Sequence, residues 1–222
     1  MQTTQIRRTI LASAGMAVAL VSPAVLAHVG ADGAGHSHGN GMLSSLLAGA
    51  AHPLTGLDHL AAMVSVGFWS AQGLSSQQGQ PSARALLAAP TAFALTLLLG
   101  AVLGMGGLSL PGVEPMIAAS LLVLGLLVAT RMRLPAGAGA TLVAAFALFH
   151  GLAHGAELGG HAIATLSGMV LSTAALHASG LGLGLWLHRQ GQSAQRWLPR
   201  LAGTGVAAWG LSLLAPAMAA AI

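Results

Sequence analysis

The stretch GAGATLVAAFALFHGLAHGA, residues 137–156, decides the fold. It is long enough to cross the ~30 Å hydrocarbon core of a bilayer as one helix, and it contains no Asp, Glu, Lys or Arg. Yet its last turns carry His150 and His154, and Glu157 and His161 follow. A charged group in such a span costs about 2.5 to 3.5 kcal/mol on insertion scales, so ionisable residues there mark function by default. The separations of four, three and four residues keep these side chains on one helical face. Gly159 and Gly160 stop the helix, which leaves His161 either as the last member of that face or as the start of the next span.

A second cluster, HPLTGLDH at residues 52–59, stands at another apolar segment. Pro53 and Gly56 predict a kinked or non-helical start to a span. Asp58 then falls at a helix N-terminus, where an anion is favoured, and it either binds an ion or orients His59 from behind. Imidazole and carboxylate, in a chain without a single cysteine, point to a divalent transition metal. The alternative for the same residues is a buried hydrogen-bonded polar network. Further candidates are Met63, four residues after His59 and otherwise a core residue; Glu114, at the mouth or simply at a helix start; and His177, deep in a later span as a second station or a structural hydrogen bond.

Only 5% of the 222 residues are charged while 55% are hydrophobic, the composition of a polytopic membrane protein. The expected fold is all-α, a membrane bundle of six transmembrane helices in one permease domain, residues 42–222. The spans are 57–74, 83–106, 114–130, 137–156, 161–187 and 198–220, preceded by an apolar piece, 42–51, too short to cross. The arginines are scattered with no basic run to track phosphates, so nucleic acid is excluded as a partner. With no lysine there is no Walker A loop.

Arg7 and Arg8, the apolar stretch after them and Val25-Leu26-Ala27 read as a cleaved signal peptide, residues 1–27, with an uncleaved signal anchor as the alternative. Residues 28–41 form a Gly-rich tail carrying His28, His36 and His38, further candidate metal ligands. If that tail is external, every arginine of the mature chain faces the cytoplasm, as the distribution of positive charge requires, and all four acids fall outside. Both clusters then open outward, and the protein sits in a bacterial inner membrane with a periplasmic N-terminus.

The chain resembles the HupE/UreJ family of bacterial nickel permeases. The resemblance rests on HPLTGLDHLAAMVSVGFWSAQ at 52–72, the GVE element ending at Glu114, and FALFHGLAHGAEL at 146–158. It implies six membrane helices behind a signal peptide, and secondary uptake of Ni²⁺ for hydrogenase or urease maturation. It also implies metal contacts at His52, Asp58, His59, His150, His154 and Glu157. A departure falls at Leu152, a position where many relatives carry a polar residue.

The expected mechanism is capture of Ni²⁺, or Co²⁺, as a transported substrate with no permanently bound cofactor. A divalent ion gains ~4.6 kcal/mol across 100 mV, so the potential suffices without ATP. Partners are the metal ion, the lipid bilayer and, functionally, a nickel enzyme; the sequence also allows a homo-oligomer. The rival is a membrane metal-binding protein that acts as a sensor or store and carries no flux. An enzyme is not expected, since His154 is followed by Gly155 and no His-Glu-x-x-His signature occurs.

Overall fold

The computed structural model describes residues 41–73, 83–158 and 161–220. The expected signal peptide and the tail histidines His28, His36 and His38 lie outside the described residues. Among those described, every regular element is helical: α1 Met42–Thr55, α2 Leu57–Gln72, α3 Ala83–Met105, α4 Val113–Thr130, α5 Ala136–Glu157, α6 Ala162–Leu187 and α7 Gln192–Ala220. Four of these, α3 to α6, are long and apolar enough to cross a membrane.

Lipid offers no hydrophobic drive for helix association, so close backbone contact through small residues must supply it. The structure does this with glycine on both sides of each main seam. In the α3–α5 pair, a Cβ on Gly104 would stand 2.6 Å from the Leu152 carbonyl, and Gly151 and Gly155 face the backbones of Leu97 and Ala101 in return. The residue numbers rise together, so these helices run parallel. Helices α4 and α7 run antiparallel, with Gly125 against Gly203 and Ala207, and Gly210 against Leu121 and Leu122.

The third seam places the site. The backbone N–H of His161 donates to Ser45 across a separation of 116 residues, and His188 Nε2 donates to the Ala71 carbonyl across 117. Gly49 meets Thr165 and Gly180 meets Val64 between these two points. A nearly constant offset means that α1 and α2 follow α6 in parallel, one after the other, as a single helix interrupted at Gly56. The apolar piece expected over 42–51 is thus four residues longer and forms the first half of this interrupted helix. Helix α1 continues through Pro53 to Thr55 and occupies the first half of α6. A proline forfeits only its own bond to the carbonyl four residues back, and packing by a neighbouring helix tolerates that loss; Pro53 is buried. The break itself is one residue, Gly56, at φ −85° and ψ 105°.

Helix α7 likewise starts earlier than its apolar run, at Gln192, and passes through the buried Pro199. The side-chain amide of Gln195 donates to the carbonyls of His188 and Gln190 at 3.0 and 2.8 Å and ties this start to the end of α6. Arg84, Arg131, Arg133, Arg189, Arg196 and Arg200 gather at one end of the helices, while Glu114, Glu157 and His161 mark the opposite ends. At the arginine end the guanidinium groups of Arg196 and Arg200 lie 5.5 and 5.6 Å from the exposed Trp197 ring. The core between the seams contains Met63, Val66, Phe93, Leu97, Leu124, Val143 and Ala147.

Candidate metal centre

The interruption between α1 and α2 brings the first cluster against the second. His52, in the last turn of α1, places its Nε2 at 2.9 Å from His154 Nδ1 on α5, a contact across 102 residues of chain. Thr55 Oγ1 donates to the His52 carbonyl at 2.9 Å and closes the end of α1. Across the break, α2 opens with Asp58 in its first turn. The Asp58 Oδ1 atom accepts from the backbone N–H of His59 at 2.9 Å and from His59 Nδ1 at 2.8 Å. Gly56 makes room for this pair, since a Cβ there would lie 3.0 Å from His59 Nδ1 and 3.1 Å from Asp58 Oδ1. A carbonyl end of one half-helix and an acid on the next half-helix suit a cation.

The rings then stack inward. His59 is 4.5 Å from His154 and 5.0 Å from His150 between ring centroids, and His52 lies 4.6 Å from His154 and 6.4 Å from His59. Exposure falls along the set: the side chains of Asp58 and His59 are 32% and 14% exposed, whereas His154 is 3% and His150 0% exposed. Asp58 is thus the most exposed member of the set and His150 the most buried.

Hydrogen bonding assigns the ring nitrogens. Ser120, on α4, has one hydroxyl hydrogen, which it gives to the Ile117 carbonyl at 2.6 Å. Its 3.0 Å contact with His150 Nε2 must therefore be accepted, so Nε2 carries the proton and Nδ1 presents its lone pair. By the same logic His59 donates through Nδ1 to Asp58 and presents Nε2. Four buried imidazole nitrogens have no hydrogen-bond partner among the described residues, and three of them, His59 Nε2, His150 Nδ1 and His154 Nε2, belong to this cluster. Buried polar atoms are almost always paired, and three orphans on touching rings are suited to a ligand. As they stand, no three His, Asp or Glu side chains among the described residues already form a ligand set around one point. The rings are packed edge to face, except His59 and His154, which are tilted at 47°, and an ion would separate them by rotation about their side-chain torsions.

The other sequence candidates fall elsewhere. Met63 is fully buried in the apolar core. Glu114 is exposed in the first turn of α4. His161 is exposed and caps α6 beside Ser45, so it starts the next helix rather than continuing the α5 face. Glu157 is the last residue of α5, and its side chain lies outside the described set. His177 is buried in α6 against Phe93. Ser120 was not singled out from the sequence, although it is the one polar residue between Glu114 and Thr130 in an apolar helix. Leu152 is buried, with its carbonyl facing Gly104 in the α3–α5 seam.

Residues 16–213 match the family described as HupE / UreJ protein. The chain belongs to the HupE/UreJ family. It is 41% identical over 181 residues to Protein HupE of Rhizobium leguminosarum bv. viciae, a match that covers 81% of this chain and 89% of that relative. No solved structure matches it. With four helices of membrane-crossing length, this HupE/UreJ member is a multi-pass membrane protein.

Proposed function

We propose that the chain is a secondary permease that takes up Ni²⁺, or Co²⁺, across a bacterial inner membrane and supplies a nickel enzyme such as a hydrogenase or urease. The observation that carries this reading is the trio of unpartnered imidazole nitrogens on His59, His150 and His154, set inside an apolar bundle rather than on its surface. Neutral imidazole is a good ligand for these ions, and the absence of thiolate disfavours a closed structural cage.

Each ligand has a residue behind it. Asp58 holds the His59 tautomer, Ser120 holds that of His150, and a His154 that presents Nε2 to the ion would give its Nδ1–H to His52 Nε2. His52 is on this reading a positioning residue, and Asp58 both orients His59 and meets the arriving cation. Helices α1 and α2 together make one crossing with its break inside the bundle, and α3 to α7 complete six. The arginine-rich end faces the cytoplasm, and the Asp58 side opens to the periplasm. An ion descending the gradient of exposure exchanges water for imidazole, and the membrane potential drives it on, since two charges through 100 mV are worth about 4.6 kcal/mol.

The test is accumulation of radiolabelled Ni²⁺ at nanomolar concentration in cells without their own nickel importers. Uptake should appear with the intact chain and vanish with His59→Ala and His154→Ala at equal expression. Metal binding to the purified protein without any uptake would instead identify a sensor or store.

A further inference from the structure

Beyond the outer imidazoles, α6 buries a second group of polar atoms that the site does not use. His177 is 4% exposed and Thr173 0%, and both His177 Nε2 and Thr173 Oγ1 lack a partner among the described residues. They stand four apart on α6, on one face. A threonine in a helix commonly returns its hydroxyl to the carbonyl one turn back, as Thr165 does to His161; Thr173 does not.

Phe93 lies between this group and the outer cluster. It is fully buried, with its ring centroid 5.8 Å from His150 and 5.1 Å from His177, the latter edge to face at 86°. Positions along the helices agree. At 1.5 Å per residue, His150 is ~10 Å from the end of α5, Phe93 ~18 Å from the end of α3, and His177 ~22 Å from the start of α6, and these helix termini share the end opposite the arginines.

We infer that His177 Nε2, with the Thr173 hydroxyl, is an inner binding station for the same class of divalent transition-metal cation, and that Phe93 is the septum dividing it from the outer imidazoles. The inference rests on the permease reading and extends it: the ion leaves three nitrogens for one nitrogen and a hydroxyl, a weaker set from which release inward is easier. The Phe93 ring prevents both stations from opening to each other continuously.

The test uses the full chain in liposomes, with Ni²⁺ as probe, and measures both equilibrium binding and uptake for the intact protein, His177→Ala and His177→Gln. Glutamine keeps polarity and approximate size without a ring nitrogen. Both variants should lose about tenfold or more of the uptake rate while outer-site affinity is retained. Uptake at the intact level in His177→Ala, or full rescue by glutamine, would overturn the inner station in favour of a structural histidine. Phe93→Leu should raise Ni²⁺ efflux from preloaded vesicles several-fold, and unchanged efflux would remove the septum. If the intact protein binds nickel without carrying it, the permease reading fails; the inner station is then judged separately, by whether His177→Gln binds one ion fewer.

Discussion

His52 and His154 are 102 residues apart in the chain and their ring nitrogens are 2.9 Å apart in the fold. That contact joins two motifs which the sequence presents as separate clusters, and it exists because α1 follows α6 and carries His52 in its last turn. A helix broken at Gly56 leaves carbonyls at one stub and N–H groups at the other. The cluster of imidazoles grows on that break.

On the permease reading Asp58 acts through His59, to which it is hydrogen-bonded at 2.8 Å. Replacement Asp58→Asn should let His59 rotate or change tautomer, and Ni²⁺ affinity should fall about 10- to 100-fold with the helical content retained. Equilibrium dialysis beside circular dichroism checks this; unchanged affinity would show that the 2.8 Å pair has no part in binding.

Ser120 does the same for His150 from α4. Ser120→Ala leaves the His150 Nε2–H buried without an acceptor, which costs about 1–3 kcal/mol and frees the ring to present the wrong nitrogen. Both thermal stability and Ni²⁺ affinity should drop, and addition of the ion should recover less stability than in the intact protein. A thermal shift series with and without Ni²⁺ reads both effects.

Gly151 belongs to the scaffold rather than to the chemistry. A side chain there would meet the Leu97 carbonyl and the Ala101 backbone, so Gly151→Val should force α3 and α5 apart at a cost of about 1–3 kcal/mol or more. The expected result is poor yield of monodisperse protein. A well-behaved variant with intact uptake would mean the seam is looser than described.

Gly56→Ala separates crowding at the site from collapse of the fold. The added methyl carbon presses on His59 Nδ1 and Asp58 Oδ1 at 3.0 and 3.1 Å, while the backbone of Gly56 is in a conformation open to alanine. Nickel affinity should weaken while melting temperature stays near that of the intact protein.

Much of this was legible in the sequence because membranes make sequence patterns simple. The apolar runs gave α3 to α6 within a residue or two of their ends, and the two His-containing motifs were visible as ionisable groups where none should be. Other features were not legible, because they depend on neighbours. Pro53 reads as a break, yet packing carries α1 through it. Ser120 reads as one small residue in an apolar helix, and only its bond to His150 gives it a role. Phe93 carries no signal at all in the sequence, since its importance lies in having His150 on one side and His177 on the other.

On the permease reading this chain alone moves the ion, and its imidazoles carry it. The most direct measurement is Ni²⁺ uptake into liposomes containing only the purified protein, with an imposed potential, negative inside, compared with the same vesicles bearing His150→Ala. Accumulation should grow with the potential and be lost in the variant. Binding of nickel by the intact protein with no flux at any potential, or equal flux through both proteins, would contradict it.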